Sequence, residues 1–372
     1  MDIVKKKLDK ITTFWDHYVW NYKIIQEKIL WNSDVKTNYY GDILAYFSDT
    51  FELLSTNIEQ QKFTQNIFYV TGLMQIIYVH QDLTDELLRI FKQSSSSSSE
   101  KNPNRQIRNE LIGHPISRKK DRSLKSSIFW GTELSEKTLH YIKYSRTNSF
   151  RGESVYYQIE DIIKRHHNFL NIQFDKILGK IKSILKYYLK KIDILETMLD
   201  KNIDFNKIVS FTYQIHEKFF EQNILFNRKD LSECKNREEQ HERYKHIINI
   251  FLTELKLSIF QTKSDINEII SDVFVDSEQS QHPRKPYIEI VFTDARNVNT
   301  DLSKERNNYS YAFGKLHTRH DFFRIDYFKM EFKDDTLIMN ELDNMERNYY
   351  NNLEYYSSYE YLRYLLKQRK LL

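Results

Sequence analysis

Apolar residues recur at steps of three and four along most of this chain, which is the spacing of an amphipathic α-helix. Over the first 93 residues the pattern predicts three helices: one through about residue 30, one from about Tyr39 to Leu54, and one from about Gln60 to Phe91. The third is apolar on more than one face, so we expect it to be the central helix of a bundle.

The same spacing continues through the second half of the chain. From about Val155 to Leu199 it predicts one very long helix or two in tandem, and such a helix would outgrow a single bundle and link two domains. Further helices are predicted over residues 205–227 and 237–275, and a tyrosine-rich helix is predicted from about Asn340 to Lys370.

Strand-like alternation of β-branched and aromatic residues is limited to short stretches. Residues 127–130 and 139–144 predict a β-hairpin, and residues 287–292 and 322–332 predict strands nearer the C-terminus. A change of composition at residues 276–283 indicates a linker.

These elements predict a mainly α protein in three parts. We expect a helical bundle with an inserted loop and β-hairpin over residues 1–200, a helical region over residues 201–275, and a small α+β module over residues 276–372. Only 7 glycines and 4 prolines are present, which leaves few positions for tight turns and agrees with long helices.

Composition narrows the classes of protein and site. The single cysteine, Cys234, excludes an intramolecular disulfide and a cysteine-based zinc site, so a reducing cytoplasm fits best. With no apolar stretch long enough for a membrane span and no signal-peptide core at the N-terminus, we expect a cytoplasmic protein without a membrane partner. A net charge of +4 permits a nucleic-acid partner without arguing for one.

A short helix with clear ends precedes the residues best suited to chemistry. Asn102 is a typical N-cap, Pro103 suits the first helical position, and Gly113 followed by Pro115 marks a stop. The pattern therefore predicts a helix from about Pro103 to Ile112 and then a turn.

Arg108, Asn109 and His114 lie in this helix and turn. On an uninterrupted helix the side chains at positions 108 and 114 would point about 120° apart. A turn at Gly113 would instead fold His114 back towards Arg108.

These residue types suit cleavage of RNA without a metal ion. The ribose 2′-hydroxyl attacks the adjacent phosphate, so the enzyme supplies a proton acceptor or donor, for which histidine is suited, and a cation. Arginine presents a charged fork of donors to a phosphate that gains negative charge. Asn109 would orient the histidine or hold a phosphate oxygen, and DNA would be spared because it lacks the 2′-hydroxyl.

The spacing of Arg108 and His114 alone carries little information, because chance produces it in a chain with 12 histidines. The alternative interpretation is an exposed arginine at a helix end beside a histidine in a turn. The adjacent asparagine, the Gly-His-Pro turn, the Asn-Pro cap and the basic loop that follows favour a functional site.

Residues 108–114, Arg-Asn-Glu-Leu-Ile-Gly-His, resemble the Arg-x(4–6)-His motif of the HEPN superfamily, in which a polar residue often follows the arginine. Residues 72–82 and 113–115 are also similar to a group of bacterial HEPN-like proteins, and the resemblance covers about residues 1–200. It implies a HEPN-like helical bundle and a metal-independent endoribonuclease that acts as a toxin or in antiviral defence, including abortive infection. Arg108 and His114 would be catalytic and Asn109 supporting.

The resemblance also implies a homodimer, because active sites in this superfamily are usually composite and this chain has one motif. It implies an antitoxin or another defence-system protein as a partner, and no cofactor or metal. The basic loop and hairpin directly after the motif are a departure that would gate the site or leave it inactive. The alternatives are a catalytically inactive HEPN-like module that binds RNA, a nucleotide or a protein, and a purely structural adaptor.

Basic residues after the motif would hold RNA phosphates, or would form an ordinary solvated loop; they are Arg118, Lys119, Lys120, Arg122 and Lys125.

His166 and His167 lack ligand partners at a suitable spacing, so we expect a surface pair and no metal site. The C-terminal tyrosines could stack bases, but their near-helical spacing favours a packing face.

Overall fold

The structure is a computed structural model that describes residues 2–36, 39–55, 62–94, 101–118, 120, 122–131, 133–146, 149–223, 226–271, 303–319 and 323–372. It confirms a mainly α fold with one small antiparallel sheet. The chain divides into two compact units, Met1–Tyr188 and Leu189–Leu372.

The first unit is built from helices and the sheet. Its helices are α1 (Asp2–Phe14), α2 (Lys23–Gln26), α3 (Tyr39–Phe51), α4 (Phe63–Ile90), α5 (Pro103–Arg108) and the start of α6 (Ile159–Asp200). π-helical turns extend α1 (Trp15–Val19) and α5 (Asn109–Gly113), and a 3₁₀ turn (Glu52–Ser55) extends α3.

The helix predicted to run through about residue 30 ends earlier: α1 ends at Phe14, and the π-helical turn that extends it ends at Val19. The Asn21 side-chain amide donates to the His17 carbonyl at 2.9 Å, where a continuing helix would place a backbone N–H. The chain then turns so that the rings of Trp15, Trp20 and Trp31 cluster with centroids 5.3–6.0 Å apart. The second and third predicted helices are confirmed as α3 and α4.

The sheet has four antiparallel strands in sequence order: β1 (Ile116–Arg118), β2 (Leu124–Phe129), β3 (Thr138–Ser145) and β4 (Glu153–Gln158). The predicted hairpin is confirmed as β2 and β3, and the basic loop is the turn between β1 and β2. The predicted start of the long helix, at about Val155, is wrong, because residues 153–158 form β4. Val155 and Tyr157 pair with Tyr141 and Leu139 of β3, and the helix begins at Ile159.

The long helix predicted to Leu199 is one continuous helix, α6, and the division between the units falls within it. One side of α6 is buried in the first unit, at residues that include Ile162, Leu170 and Ile177. No helix among the described residues is long and apolar enough to cross a membrane.

The described part of the second unit is helical: α7 (Phe205–Ile215), α8 (Lys218–Asn223), α9 (Arg228–Asn236), α10 (Glu242–Ile270), α11 (Ser303–Thr318), α12 (Phe323–Glu331), α13 (Thr336–Arg347) and α14 (Asn352–Gln368). The helix predicted over residues 205–227 is interrupted at His216, whose Nε2 lies 2.8 Å from Ser258 Oγ. The tyrosine-rich helix is interrupted before α14, where Asn351 is the N-cap.

The strand predicted over residues 322–332 is wrong, because α12 covers nearly all of it. Ile325 and Phe328 are three residues apart and both fully buried in the core of the four C-terminal helices, which is a helical arrangement. The linker and strand predicted over residues 276–283 and 287–292 lie outside the described residues.

Several of the C-terminal tyrosines form a packing face, as their spacing favours, whereas Tyr350 is 91% exposed. Tyr355 and Tyr359 are 1% and 5% exposed within the core of α11–α14. The Arg319 guanidinium lies over the rings of Tyr355 and Tyr356, at 4.3 and 4.5 Å from their centroids. These rings are therefore engaged within their own unit.

Candidate functional site

α5 is fixed at its start by asparagines. Asn102 accepts a hydrogen bond from the Asn104 backbone N–H at 3.0 Å, which confirms the predicted N-cap. The Asn104 side chain is fully buried and donates to the Ile162 carbonyl of α6 at 2.8 Å. Ile107 and Leu111 are buried, so the arginines of α5 face α4 instead of the core.

Arg108 is held by two amide side chains and an aromatic ring. Its Nε and Nη2 donate to Gln75 Oε1 at 3.3 and 3.0 Å, and its Nη1 donates to Asn109 Oδ1 at 3.1 Å. Its guanidinium carbon lies 4.2 Å from the centroid of Tyr78. Gln75 and Tyr78 are three residues apart on one face of α4, so the position of the guanidinium is set before any ligand binds.

Gly113 allows the guanidinium to take this position. A Cβ at residue 113 would lie 2.6 Å from Arg108 Nη1 and 3.6 Å from Asn109 Oδ1. The first distance is too short for any side chain, so the close approach of Arg108 to this backbone requires glycine.

The charge of Arg108 is not neutralised within the described part of the chain. Arg105 also stacks on Tyr78, with 4.2 Å between its guanidinium carbon and the ring centroid, but it forms an ion pair with Asp82 at 2.6 Å. The oxygen partners of Arg108 are neutral amides, and no described carboxylate pairs with it. A positioned arginine without a counter-ion is suited to bind an anion such as a phosphate.

His114 leaves the helix directly after the π turn. Its backbone N–H donates to the Asn109 carbonyl at 2.7 Å, and its φ of −137° and ψ of 61° end the helix. The imidazole is exposed and has no hydrogen-bond, ion-pair or ring partner among the residues that the structure describes. Asn109 thus orients Arg108, and the His114 imidazole forms no hydrogen bond with either side chain.

Glu110 connects the π turn to the sheet. It accepts a hydrogen bond from Tyr141 Oη at 2.9 Å and forms ion pairs with Lys143, at 2.6 Å, and with Lys125. Burial would raise the pKa of the Glu110 carboxyl, but the bonds from Lys125, Lys143 and Tyr141 outweigh burial and lower it. The hairpin after the motif is therefore anchored to the turn that carries the candidate residues.

The structure separates the basic residues that we expected to hold RNA. Lys125 and its charge are engaged by Glu110. Arg118, Lys120 and Arg122 are exposed around the turn between β1 and β2, where Arg118 donates to the Arg122 carbonyl at 3.0 Å. Lys119 lies outside the described residues.

Comparisons with models of protein families, with curated proteins and with solved structures give no match for this chain. The geometry and chemistry of the described residues therefore carry the functional argument.

His166 is not on the surface, which corrects the prediction of a surface pair. It is fully buried with His80, and 3.2 Å separate His80 Nδ1 from His166 Nε2. His80 Nε2 lies 2.7 Å from Thr50 Oγ1, whose own proton goes to the Tyr46 carbonyl. Burial keeps both rings uncharged, and in that state His80 donates to Thr50 and accepts from His166.

Burial lowers the pKa of His80 to about 4, and the neighbouring His167 lowers it further in the same direction. Burial, followed by the charges of His80 and His167, also holds the pKa of His166 well below its usual value. No group of three or more potential ligand side chains in the described residues could hold a metal ion. This pair belongs to the core of the first unit.

Sequence reasoning missed the residues that position Arg108. Gln75 and Tyr78 lie in the segment whose resemblance we noted, but the pattern gave no sign that they face Arg108, which is 33 residues from Gln75 and 30 residues from Tyr78. The burial of His166 did have a signal: it lies four residues from both Ile162 and Leu170, on the apolar side of α6.

Proposed function

We propose that this protein is a metal-independent endoribonuclease in which Arg108 and His114 act on the phosphate that is cleaved. The observation that carries the proposal is the Arg108 guanidinium, held by Gln75, Asn109 and Tyr78 and left without a carboxylate partner among the described residues. Of the five N–H groups of arginine, three are used in this arrangement, which leaves donors for phosphate oxygens.

In the proposed reaction the 2′-oxygen attacks phosphorus and the bond from phosphorus to the 5′-oxygen breaks. The products are a 2′,3′-cyclic phosphate and a 5′-hydroxyl. His114 takes the proton from the 2′-hydroxyl or gives one to the 5′-oxygen. Arg108 stabilises the charge on the non-bridging phosphate oxygens. His114 is adjacent in sequence to Gly113, which contacts the guanidinium.

Purified protein with RNA in EDTA tests this proposal. We expect cleavage with cyclic phosphate ends, and a loss of about 100- to 1,000-fold in rate for both His114→Ala and Arg108→Ala. Arg89→Ala and His17→Ala, at exposed positions of α4 and of the first π turn, are the matched controls and should cleave normally. Cleavage that persists in both site variants would contradict the proposal.

A second candidate is an inactive module of the same type that binds RNA, a nucleotide or a protein. The observation that favours it is that no described side chain orients the His114 imidazole, whereas catalytic histidines are usually held by a hydrogen bond. Salt-dependent binding of RNA without cleavage by the wild type would select this candidate.

We also propose that the active form is a cytoplasmic homodimer in which the second copy supplies the second proton-transfer group. This follows from the single histidine of the motif and from the HEPN resemblance, as does a role as a toxin or defence effector with an antitoxin or defence-system partner. Specific activity that rises with protein concentration, in step with dimer formation in sedimentation, would support the dimer. A concentration-independent specific activity of a monomer would contradict it.

A further inference from the structure

Most side chains on one face of the four-stranded sheet are exposed or half-exposed, and several of them are apolar. Side chains alternate along each strand, and the pairing register places one set on this face. The set comprises Ile116, Arg118, Leu124, Ser126, Ile128, Thr138, His140, Ile142, Tyr144, Ser154, Tyr156 and Gln158. We call it the stacking face; the opposite face carries Lys125, Tyr141 and Lys143 and contacts Glu110.

Large side chains on and beside the stacking face are unusually exposed. Ile116 is 71% exposed, Ile128 43% and Tyr156 48%, and Trp130, directly after β2, is 48% exposed. The Tyr156 ring stacks on the buried His140 ring with centroids 4.2 Å apart and planes at 11°, so its orientation is fixed. Fixed, half-exposed aromatic rings are surfaces on which unpaired bases stack.

Among the strand residues of the stacking face, Arg118 is basic; beside the face, the exposed Glu133 carboxylate lies 3.8 Å from His140 Nδ1. No aspartate or glutamate falls on this face of the four strands, since Glu153 is on the opposite face, in register with Lys143. Lys125 pairs with Ser145 in the ladder, which brings the β1–β2 turn and the β3–β4 turn to the same end of the sheet. Exposed cations without a carboxylate partner in the described residues lie at that end: Arg118, Lys120, Arg122, Arg146 and Arg151.

His114, one of the two proposed catalytic residues, lies at the edge of the sheet that carries the stacking face. The Ser127 N–H donates to the Pro115 carbonyl at 2.7 Å, which continues the pairing of β1 with β2 by one residue. His114 immediately precedes Pro115, so it lies at the β1 edge of the sheet.

We propose that the stacking face binds single-stranded RNA, with bases stacked on Trp130 and Tyr156 and phosphates held by the cations of the two turns. This inference rests on the proposed function for its substrate, and it names the form of RNA that reaches Arg108 and His114. Unpaired RNA fits better than a protein partner, because this face combines exposed rings with cations that have no carboxylate partner among the described residues, and its strands carry no carboxylate on this face.

Binding is measured by fluorescence anisotropy with a labelled single-stranded RNA of about 12 nucleotides, fully 2′-O-methylated so that it cannot be cleaved. We expect Trp130→Ala and Tyr156→Ala each to weaken binding by about 5- to 100-fold, and Trp130→Phe to retain most of the affinity. Phe68→Ala is the matched control, because Phe68 is an 83% exposed aromatic residue on α4. Circular dichroism checks that each variant is folded.

A second measurement separates charge from stacking. Arg122→Ala should lower the slope of binding against salt concentration by about one unit, whereas Trp130→Ala should leave that slope unchanged. Duplex RNA should compete poorly, because its bases are already stacked.

Two results would overturn the inference: unchanged affinity in both aromatic variants, or equal affinity for duplex and single-stranded RNA. Because the probe cannot be cleaved, this outcome is distinguishable from failure of the proposed function. If binding depends on the aromatic residues but no nuclease activity is found, the stacking-face inference is supported and the endoribonuclease proposal is contradicted. If RNA is cleaved at the same rate by wild type and Trp130→Ala, the endoribonuclease proposal is supported and the stacking-face inference is contradicted.

Discussion

Within the described part of the chain, the charge of Arg108 is not compensated, because its oxygen partners are amides. Gln75 and Asn109 fix the guanidinium through neutral oxygens, whereas Asp82 both fixes and neutralises Arg105. Position and charge at this site are therefore determined by different atoms, and each can be changed alone.

Gln75→Glu would neutralise Arg108 without moving it. The new carboxylate has the same shape and would accept from Nε and Nη2, so we expect cleavage to fall by about 10- to 100-fold with no loss of thermal stability. Gln106→Glu, at an exposed position of α5, adds the same charge nearby and should have a much smaller effect. If both variants lost the same cleavage activity, the overall charge would be the cause and the ion pair between the new carboxylate at position 75 and Arg108 would not.

Gly113→Ala would move Arg108 without changing its charge. The added methyl group would lie 2.6 Å from Nη1, and the flexible end of the arginine would shift at little cost to the fold. We expect cleavage to fall by about 10- to 100-fold, since small displacements of a positioning group reduce rate steeply. Gly179→Ala, where nothing lies within 4 Å of the new Cβ, is the control and should cleave as the wild type does.

At the residue scale, local signals predicted the N-cap Asn102 and a short helix that carries Arg108 and Asn109 and ends near Gly113. They did not predict that Asn109 would accept a hydrogen bond from Arg108; we expected it to orient His114 or hold a phosphate oxygen. They could not predict that Gln75 and Tyr78 hold the guanidinium, since that depends on how α4 packs against α5. They also could not predict that Gly113 contacts Arg108, because the π turn that places it there depends on tertiary contacts such as those of Glu110 with the sheet.

At the scale of elements, the π turn and the sheet are joined through Glu110. Burial raises the pKa of the Glu110 carboxyl, but the hydrogen bonds from Lys125, Lys143 and Tyr141 lower it by more. The pKa in the folded state is therefore below its ordinary value. A carboxyl of this kind contributes stability above its unfolded pKa and loses that contribution as the pH falls through the folded pKa.

Glu110→Gln should therefore reduce the free energy of unfolding by about 1–3 kcal/mol near neutral pH. The difference from wild type should shrink as the pH falls below the ordinary carboxyl pKa of 4.5. Urea unfolding at several pH values measures it, with Glu27→Gln as the control because Glu27 is exposed and no described ion pair involves it. A difference that does not depend on pH would show that the Glu110 charge is not the cause.

Helix and strand patterns were separable only where the segments were long. α4 and α6 carry many turns of apolar spacing, so their existence could be predicted from sequence. Residues 322–332 alternate over a short run that fits either period, and the packing of Ile325 and Phe328 into the C-terminal core selects helix. At β4 the error was in the other direction: the apolar spacing predicted a helix from about Val155, but these residues pair with β3 and form a strand.

At the scale of the whole molecule, the two units carry different spectroscopic and acid-sensitive groups. All 4 tryptophans lie in the first unit, so their fluorescence reports its unfolding. The buried pair His80 and His166 lies in the same unit and is neutral in the folded state. The unfolded chain binds protons at these histidines from about pH 6.5 downwards.

Acid should therefore weaken the first unit. Because the pKa of His80 falls from 6.5 to about 4 on folding, we expect the stability to decrease between those pH values, by about 3 kcal/mol from His80 alone. Tryptophan fluorescence in urea at pH 7.5, 6 and 5 measures this dependence. His80→Gln should be less stable at neutral pH but depend less on pH, and His17→Gln is the exposed control; a slope unchanged by His80→Gln would contradict the assignment.

The π turn over Asn109–Gly113 contains one more residue than an α-helical turn would. Removing a single residue from it would restore the ordinary helical ladder and rotate everything beyond it by about 100°. A relative could have the same arginine, asparagine and histidine with one residue fewer between the asparagine and the histidine. It would keep the residue types of the motif but would lose the close approach of Gly113 to the guanidinium. Among relatives of this chain, the length of the turn is therefore a criterion for an intact site, alongside the identity of its residues.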